Sequence, residues 1–421
     1  MSLAHNPLSR RRLLALGGLA AAGAVTAACG SNSGTNADKG GGKALAQWYH
    51  QYGEAGTQQA ALKYAAAYDK AKVTVTWIPS EYDAKLASAL LSNDGPDVFE
   101  SHFNVAMAKS KQVVPLDDIV GDLKSDFSDV DIQANSWDGK LYGIRMIDDP
   151  QLLYYRKSVL EKANIKPPTT FDELIAAAKA LTTKTQKGLF VSNSGGYGPI
   201  NGPALYSTGQ NYLTADNKVG FDSDKTVEML LKLKELHNSK ALLTGAPTDW
   251  WDPSAFNQGL AAMTWNGLWA MPGIIKAIGE DFGVLPLPPV LAGGKPAIYN
   301  GGWTTFVSAK AKDVDAAKAF VKWLWLDKKE YQEDWSLNYG FHIPPRKSLA
   351  ATATKLTSGN AAEVVKLAGQ YGVGDQPAFT STMGTAYGDM VTNVVAKGAD
   401  AKTELATAVK KVTDELAKVL G

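Results

Sequence analysis

Between Lys43 and Glu100 short extended runs alternate with helical ones, and that alternation confines the chain to a small set of architectures. Lys43 to Tyr49 reads as a strand and Thr57 to Lys70 as a helix. Val73-Thr74-Val75-Thr76-Trp77-Ile78 alternates as a second strand, stopped by Pro79. Tyr82 to Leu91 sets Leu86, Ala89 and Leu90 on one helical stripe, and Pro96-Asp97-Val98-Phe99-Glu100 begins a third strand. Repeated units of this kind predict an α/β fold, with a largely parallel sheet and helices on both faces. Asp138-Gly139, between Trp137 and Leu141, signals a hairpin turn. Thr170 and Glu173 form a capping box ahead of Leu174, Ala177, Ala178 and Leu181. Ser223 or Asp224 opens a further helix with Leu230, Leu231, Leu233 and Leu236, and Pro253 suits the first turn of another. Asp313 to Leu326 and Ala401 to Leu420 complete a helix-rich C-terminal half.

The first residues address location. Ser9-Arg10-Arg11-Arg12-Leu13-Leu14 opens a positive region, and an apolar run follows to Val25. Thr26-Ala27-Ala28 then leads into Cys29, the sole cysteine of the 421 residues. The arrangement is that of an export signal peptide over residues 1–28. The paired arginines resemble a twin-arginine (Tat) signal, and the small residues before Cys29 resemble a bacterial lipoprotein processing site, with Thr26 standing where such signals usually carry Leu. Cys29 is therefore expected to carry lipid, in preference to a plain small-residue cleavage. The apolar run is too short for a stable transmembrane helix, and no later segment approaches eighteen uninterrupted apolar residues. Residues 29–43 are rich in Gly, Ser and Asn and read as a flexible tether. The chain is expected to sit on the outer face of the cell membrane, held through its lipid alone.

From Cys29 onward about 390 residues remain, more than one core usually organises, so two domains are expected. The formal charge of +1 becomes −2 without Arg10, Arg11 and Arg12. No Lys/Arg block supplies the basic face that a nucleic acid needs, so the expected partner is uncharged.

Several motifs in order resemble the extracellular solute-binding proteins of bacterial ABC sugar importers, family 1, the maltodextrin-binding-protein-like lipoproteins. They are Tyr82-Asp83-Ala84-Lys85-Leu86, Gly95-Pro96-Asp97-Val98, Val114-Pro115-Leu116-Asp117-Asp118, Asp138-Gly139-Lys140-Leu141-Tyr142-Gly143 and Leu153-Tyr154-Tyr155. Thr169-Thr170-Phe171-Asp172-Glu173-Leu174, Gly259-Leu260-Ala261-Ala262-Met263-Thr264, Asn266-Gly267-Leu268-Trp269, Gly301-Gly302-Trp303 and Pro344-Pro345-Arg346-Lys347-Ser348 continue the series. Each is common alone; their order and spacing are specific. The resemblance implies two α/β lobes joined by a hinge, one ligand in the cleft between them, and permease subunits of an importer as partners. It places lobe one at 44–150 with 303–348, and lobe two at 151–302 with 349–421.

Residues after the expected strands agree with a cleft binder, because ligands of open α/β sheets sit off the carboxyl ends of strands. His50, Gln51, Tyr52 and Glu54 follow the first strand, Ser101, His102, Phe103 and Asn104 the third, and Asp148, Asp149 and Gln151 the hairpin. Sugars offer C–H faces to aromatic rings and a belt of hydroxyls to planar donors and acceptors. Eleven Trp and sixteen Tyr favour a carbohydrate over an inorganic ion. Trp77, Trp323 and Trp325 fall within a strand or a helix and are expected in the core. Trp269 matches the family's N-G-x-W position, where a ring stacks on sugar, and Asp149 aligns with a family acidic position that accepts sugar hydroxyls. Trp303 follows Asn300-Gly301-Gly302, where backbone can approach a ligand. One of Trp250 and Trp251 is expected to face the cleft, and Tyr82, Tyr197 and His342 are further candidates.

His50, His102 and His342 match no metal-ligand spacing, so neither metal nor cofactor is expected. Glu54, Asp149 and Asp252 could supply a glycosidase pair, but no Walker loop, nucleophile elbow, His-Glu-x-x-His or dinucleotide fingerprint is present. The expectation is a monomeric, non-enzymatic receptor for a neutral sugar or short oligosaccharide. A secreted carbohydrate hydrolase, or a receptor for a polyol or other non-sugar solute, is the alternative.

Overall fold

A computed structural model describes residues 43–421. The expected signal peptide, the Cys29 lipid site and all of the tether but its last residue, Lys43, lie outside the described residues.

Two sheets organise the chain. The first runs in the order Ala71–Ile78, Lys43–His50, Val98–Ser101, Thr304–Val307, Gly143–Arg145. Its residues alternate between two cores, as a sheet covered on both faces demands. Leu45, Tyr49, Val98 and Val307 join one core, under the helices Thr57–Ala67 and Val314–Lys322. Phe99 and Phe306 face the other, with Leu86 and Leu90 of helix Tyr82–Leu91. The second sheet runs Gly372–Val373, Ile298–Gly301, Asp149–Tyr155, Ala261–Gly267, Lys187–Phe190, with Gly283–Leu285 also on Asp149–Tyr155. Leu153, Met263 and Trp265 pack under Phe171–Leu181, Asp224–Asn238, Ser381–Val395 and Ala401–Leu420, while Leu152 and Tyr154 face Met271–Ile278 and Gly359–Tyr371.

The expected α/β, two-lobed organisation is present, but the expectation of a largely parallel sheet needs correction. Lys43–His50 is parallel to both its neighbours. Asp149–Tyr155 is antiparallel to Ala261–Gly267, Gly283–Leu285 and Ile298–Gly301. The cause is the return of the chain: one strand leaves the first sheet for the second, and Ile298–Gly301 comes back beside it in the opposite sense. Continuing, Thr304–Val307 inserts into the first sheet antiparallel to Val98–Ser101 and Gly143–Arg145.

Local signals hold closely. Asp138 and Gly139 both adopt positive φ, 50° and 73°, between Ser136–Trp137 and Lys140–Leu141, as a two-residue hairpin requires. The Thr170/Glu173 capping box forms in both directions. The helix expected to Lys70 ends at Ala67, and the one expected to Leu326 gives way at Trp323 to a wider π turn over Trp323–Asp327. Trp325 is fully buried, whereas Trp77 and Trp323 pack half-buried against the same core. Among the described residues no helix is long and apolar enough to cross a membrane.

Candidate functional site

Three chain segments pass between the sheets, and they are laced together. Asp148 and Ile343 exchange both backbone hydrogen bonds at 3.0 Å, and the Met146 N–H donates to the Trp303 carbonyl at 2.8 Å. Arg145, buried, donates through Nη1 to the Gly302 carbonyl at 2.7 Å and through Nε to Asp131 at 3.2 Å. Burial and the adjacent Asp131 push the Asp148 carboxyl well up, although the Arg145 Nε lies 3.6 Å away. Gly302 has φ of 138°, and a Cβ there would lie 2.0 Å from the Ile147 carbonyl oxygen. Only glycine lets these segments touch.

On the side of the first sheet, aromatic and ionisable groups converge on Glu100, which lies in the strand Val98–Ser101 and is 1% exposed. Its carboxylate accepts from the His50 backbone N–H at 2.8 Å and the Tyr52 hydroxyl at 2.6 Å, and the His50 Nδ1 lies against it. Tyr82 donates its hydroxyl to the Glu100 carbonyl at 2.7 Å. The His50 ring stacks on Trp303 with centroids 3.9 Å apart and meets Tyr52 tilted at 4.0 Å; His102 meets Trp303 at 4.9 Å. Glu100 was missed in the sequence, although a carboxylate among the apolar residues Val98 and Phe99 was the signal.

A second knot ties Glu54, Asp149 and His342. The buried His342 places Nδ1 against the Asp149 carboxylate and Nε2 3.3 Å from Glu54. Burial pushes the imidazole down, but the two carboxylates more than offset it and raise it to about 10. Burial likewise pushes Glu54 up, and the His342 contact wins and leaves it below the usual carboxylate range.

Between the sheets lies a cavity of about 730 Å³. Its first-lobe wall includes Leu86, Leu90, Ser101, His102, Asn104 and Met107; its second-lobe wall includes Gln151, Tyr206, Tyr212, Trp250, Tyr299, Asp375, Phe379 and Tyr387. Asn104 also accepts from the Met107 N–H, capping the short helix Val105–Lys109. The two walls meet where His102 Nδ1 lies 3.5 Å from Asp375 and the Val105 N–H donates to the Pro377 carbonyl. Tyr299 donates to Asp375 at 2.6 Å. Burial pushes Asp375 up, yet His102, Arg145 and Tyr299 together hold it at about 2.

Of the fourteen sequence candidates, His102, Asn104 and Trp250 line the cavity. His50, Tyr52, Tyr82 and Trp303 form the Glu100 cluster beside it, and Glu54, Asp149 and His342 the hinge knot. Gln51 is exposed, with its N–H on the Ile78 carbonyl. Tyr197 is buried in the second-lobe core, edge-on to His237, while the Gly198 and Pro199 that follow reach the cavity. Trp250 is the member of its pair on the cavity; Trp251 is 51% exposed, and its carbonyl accepts the Trp269 Nε1–H at 3.0 Å. The Trp269 ring folds back over Gly267, where a Cβ would come 1.8 Å from the indole, so the glycine of N-G-x-W is what permits the ring's pose. Asp375, Tyr299, Tyr206, Tyr212, Phe379 and Tyr387 were missed; each lies in a segment without a local motif. Among the described residues no group of three or more His, Cys, Asp or Glu is placed to hold a metal ion.

Residues 53–330 match the family model described as bacterial extracellular solute-binding protein. The chain belongs to that family. As a solute-binding protein it is 29% identical over 282 residues to the maltotriose-binding protein of Pyrococcus abyssi, covering 63% of this chain and 58% of that relative's length. It is 28% identical over 356 residues to the diacetylchitobiose binding protein DasA of Streptomyces coelicolor, covering 76% of this chain and 79% of the relative. The GacH receptor of Streptomyces glaucescens, solved unliganded and with acarbose, superposes with a TM-score of 0.76 at 25% identity, over 89% of this chain and 99% of that one. A solute-binding protein of Thermotoga lettingae bound with α-D-tagatose gives the same TM-score at 21% identity, over 89% and 100%, and attests the fold.

Proposed function

We propose that the protein is a carbohydrate receptor that captures a neutral sugar or short oligosaccharide between its lobes and delivers it, unchanged, to the permease subunits of an ABC importer. The observation that carries this reading is the cavity wall: aromatic rings with amides, hydroxyls, His102 and the carboxylates Asp83 and Asp375, and no Lys or Arg, on a solute-binding fold. Rings take the C–H faces of a sugar and amides and hydroxyls take its rim. The relatives named for maltotriose and diacetylchitobiose support it. In this reading lobe one comprises 44–150 with 303–348 and lobe two 151–302 with 349–421. Trp250, Trp269, His102, Asn104 and Trp303 touch ligand, and the Glu54, Asp149 and His342 group frames the hinge side.

Calorimetric titration with maltotriose, diacetylchitobiose and arabinotriose, followed by analysis of the recovered sugar, tests the reading. Stoichiometric binding with the sugar recovered intact is expected. Turnover of the sugar would establish the hydrolase instead, and binding of polyols alone would redirect the ligand. The export signal and a lipid on Cys29 complete the proposal, with the receptor tethered at the outer face of the membrane as a monomer. Cys29→Ala should move it from the membrane fraction to the soluble pool; a variant that stays membrane-bound at unchanged mass rules lipidation out.

A further inference from the structure

The strand ends of the second sheet form a row whose order the topology fixes. Asp375 stands just past Gly372–Val373, Tyr299 lies in Ile298–Gly301, and Gln151 pairs with Tyr299 from Asp149–Tyr155. Gly267, under the Trp269 ring, pairs with Gln151 in turn. The last strand, Lys187–Phe190, leads to Asn193, which holds the loop that carries Trp250 and Trp251. Five lanes spaced about 4.8 Å apart put about 19 Å between the first and the last. Asp375, Tyr299, Gln151 and Trp250 line the cavity. Trp251 stands outside it, 51% exposed, and is the one exposed aromatic side chain among the described residues.

That exposure is not the mark of a loose loop. The Asn193 side chain accepts the Gly245 and Ala246 N–H groups at 2.9 and 2.8 Å and donates to the Ala246 and Thr248 carbonyls at 3.0 and 3.1 Å. Asp249 accepts the Asn193 and Trp250 N–H groups at 2.9 and 2.8 Å. Asn266 donates to the Trp250 carbonyl at 2.8 Å, and the Trp269 indole to the Trp251 carbonyl. The backbone is thus fixed on both sides of a ring that itself packs on little. Asp252, next to it, accepts the Ser254 N–H at 2.7 Å through one carboxylate oxygen and has the other to offer a hydroxyl. An indole held this way takes the C–H face of a sugar ring with little further loss of freedom.

We infer that the binding site continues outside the cavity onto Trp251, and that its ligand is an oligosaccharide long enough to lie across the strand ends with a distal ring stacked on that indole. This rests on the carbohydrate reading above.

The test compares, by calorimetry, a short and a long member of two neutral series, maltotriose with maltohexaose and diacetylchitobiose with pentaacetylchitopentaose, on wild type and on variants of Trp251. In the series that binds, the long member should bind about tenfold or more tighter than the short one. Trp251→Ala should bring that ratio close to unity, and Trp251→Phe, which keeps a ring, should restore most of it. Both variants should melt close to wild type, because the side chain packs on little and the loop's bonds from Asn266 and Trp269 end on backbone carbonyls. A long member that binds no tighter than the short one, or a ratio that survives in Trp251→Ala, overturns the inference, while binding of the short sugar leaves the receptor reading intact. If no member of either series binds, both fall.

Discussion

His342 concentrates what a single residue contributes. Buried between Asp149 and Glu54, it is held protonated well above the range of a free imidazole, at about 10 against roughly 6.5 for an unperturbed one. A pKa raised on folding stabilises fully below the unfolded value and is lost as pH climbs through the folded one. The contribution should therefore be intact at pH 6 and decline between about pH 6.5 and 10. Urea midpoints of wild type and His342→Gln should differ most at pH 6 and converge by pH 10, with a loss of about 3–5 kcal/mol at the low end for an orphaned buried charge partner. A constant difference across that range would show that His342 is not charged in the fold. Asp149 was read from the sequence as a sugar acceptor, and its engagement with His342 makes Asp149→Asn a stability variant as well. Trp269 belongs to the same scale. Trp269→Ala removes a half-buried indole that the proposed reading sets on the sugar, and affinity for the cognate sugar should fall about tenfold or more, a loss of about 1–3 kcal/mol by calorimetry. Unchanged affinity would return that ring to packing against its neighbours.

At the level of elements, what was legible in the sequence was whatever neighbouring residues determine. The helices Tyr82–Leu91 and Ala401–Leu420, the Thr170 capping box and the Asp138-Gly139 hairpin each rest on signals within a few positions. The pairing of Thr304–Val307 with Val98–Ser101 has no such signal, because nothing in either run specifies a partner some two hundred positions away. The site divides the same way. His102 and Asn104 were found because they trail a recognisable strand, and Trp250 and Trp269 because they sit in glycine- or proline-marked turns. Asp375, Tyr212 and Phe379 reach the cavity only through the packing of distant segments. The crossover at Gly302 is where such packing is least forgiving. Gly302→Ala pushes a methyl into the Ile147 carbonyl at a positive φ, so the thermal midpoint should drop sharply, with backbone strain alone on the order of 1–3 kcal/mol. A variant that melts like wild type would mean that the three segments have room to separate.

For the whole molecule, two lobes that share a ligand make their full set of contacts only when drawn together, so sugar should shift an open–closed equilibrium. Small-angle scattering should report a smaller radius of gyration at saturating sugar. An unchanged radius would mean that the lobes are already together without ligand, which the direct bond from Val105 to Pro377 across the cleft makes a concrete possibility to measure. The insertion of Thr304–Val307 between Val98–Ser101 and Gly143–Arg145 also bears on how the protein is born. An interior strand of the first sheet is supplied by residues translated roughly 160 positions after the last of its other strands, which at about 5–20 residues per second is a delay on the order of 8–30 s. Until then the nascent first lobe carries two exposed strand edges facing an empty lane, so it cannot finish folding ahead of its neighbour. Completion of the two lobes is coupled in time by the order in which the ribosome delivers them.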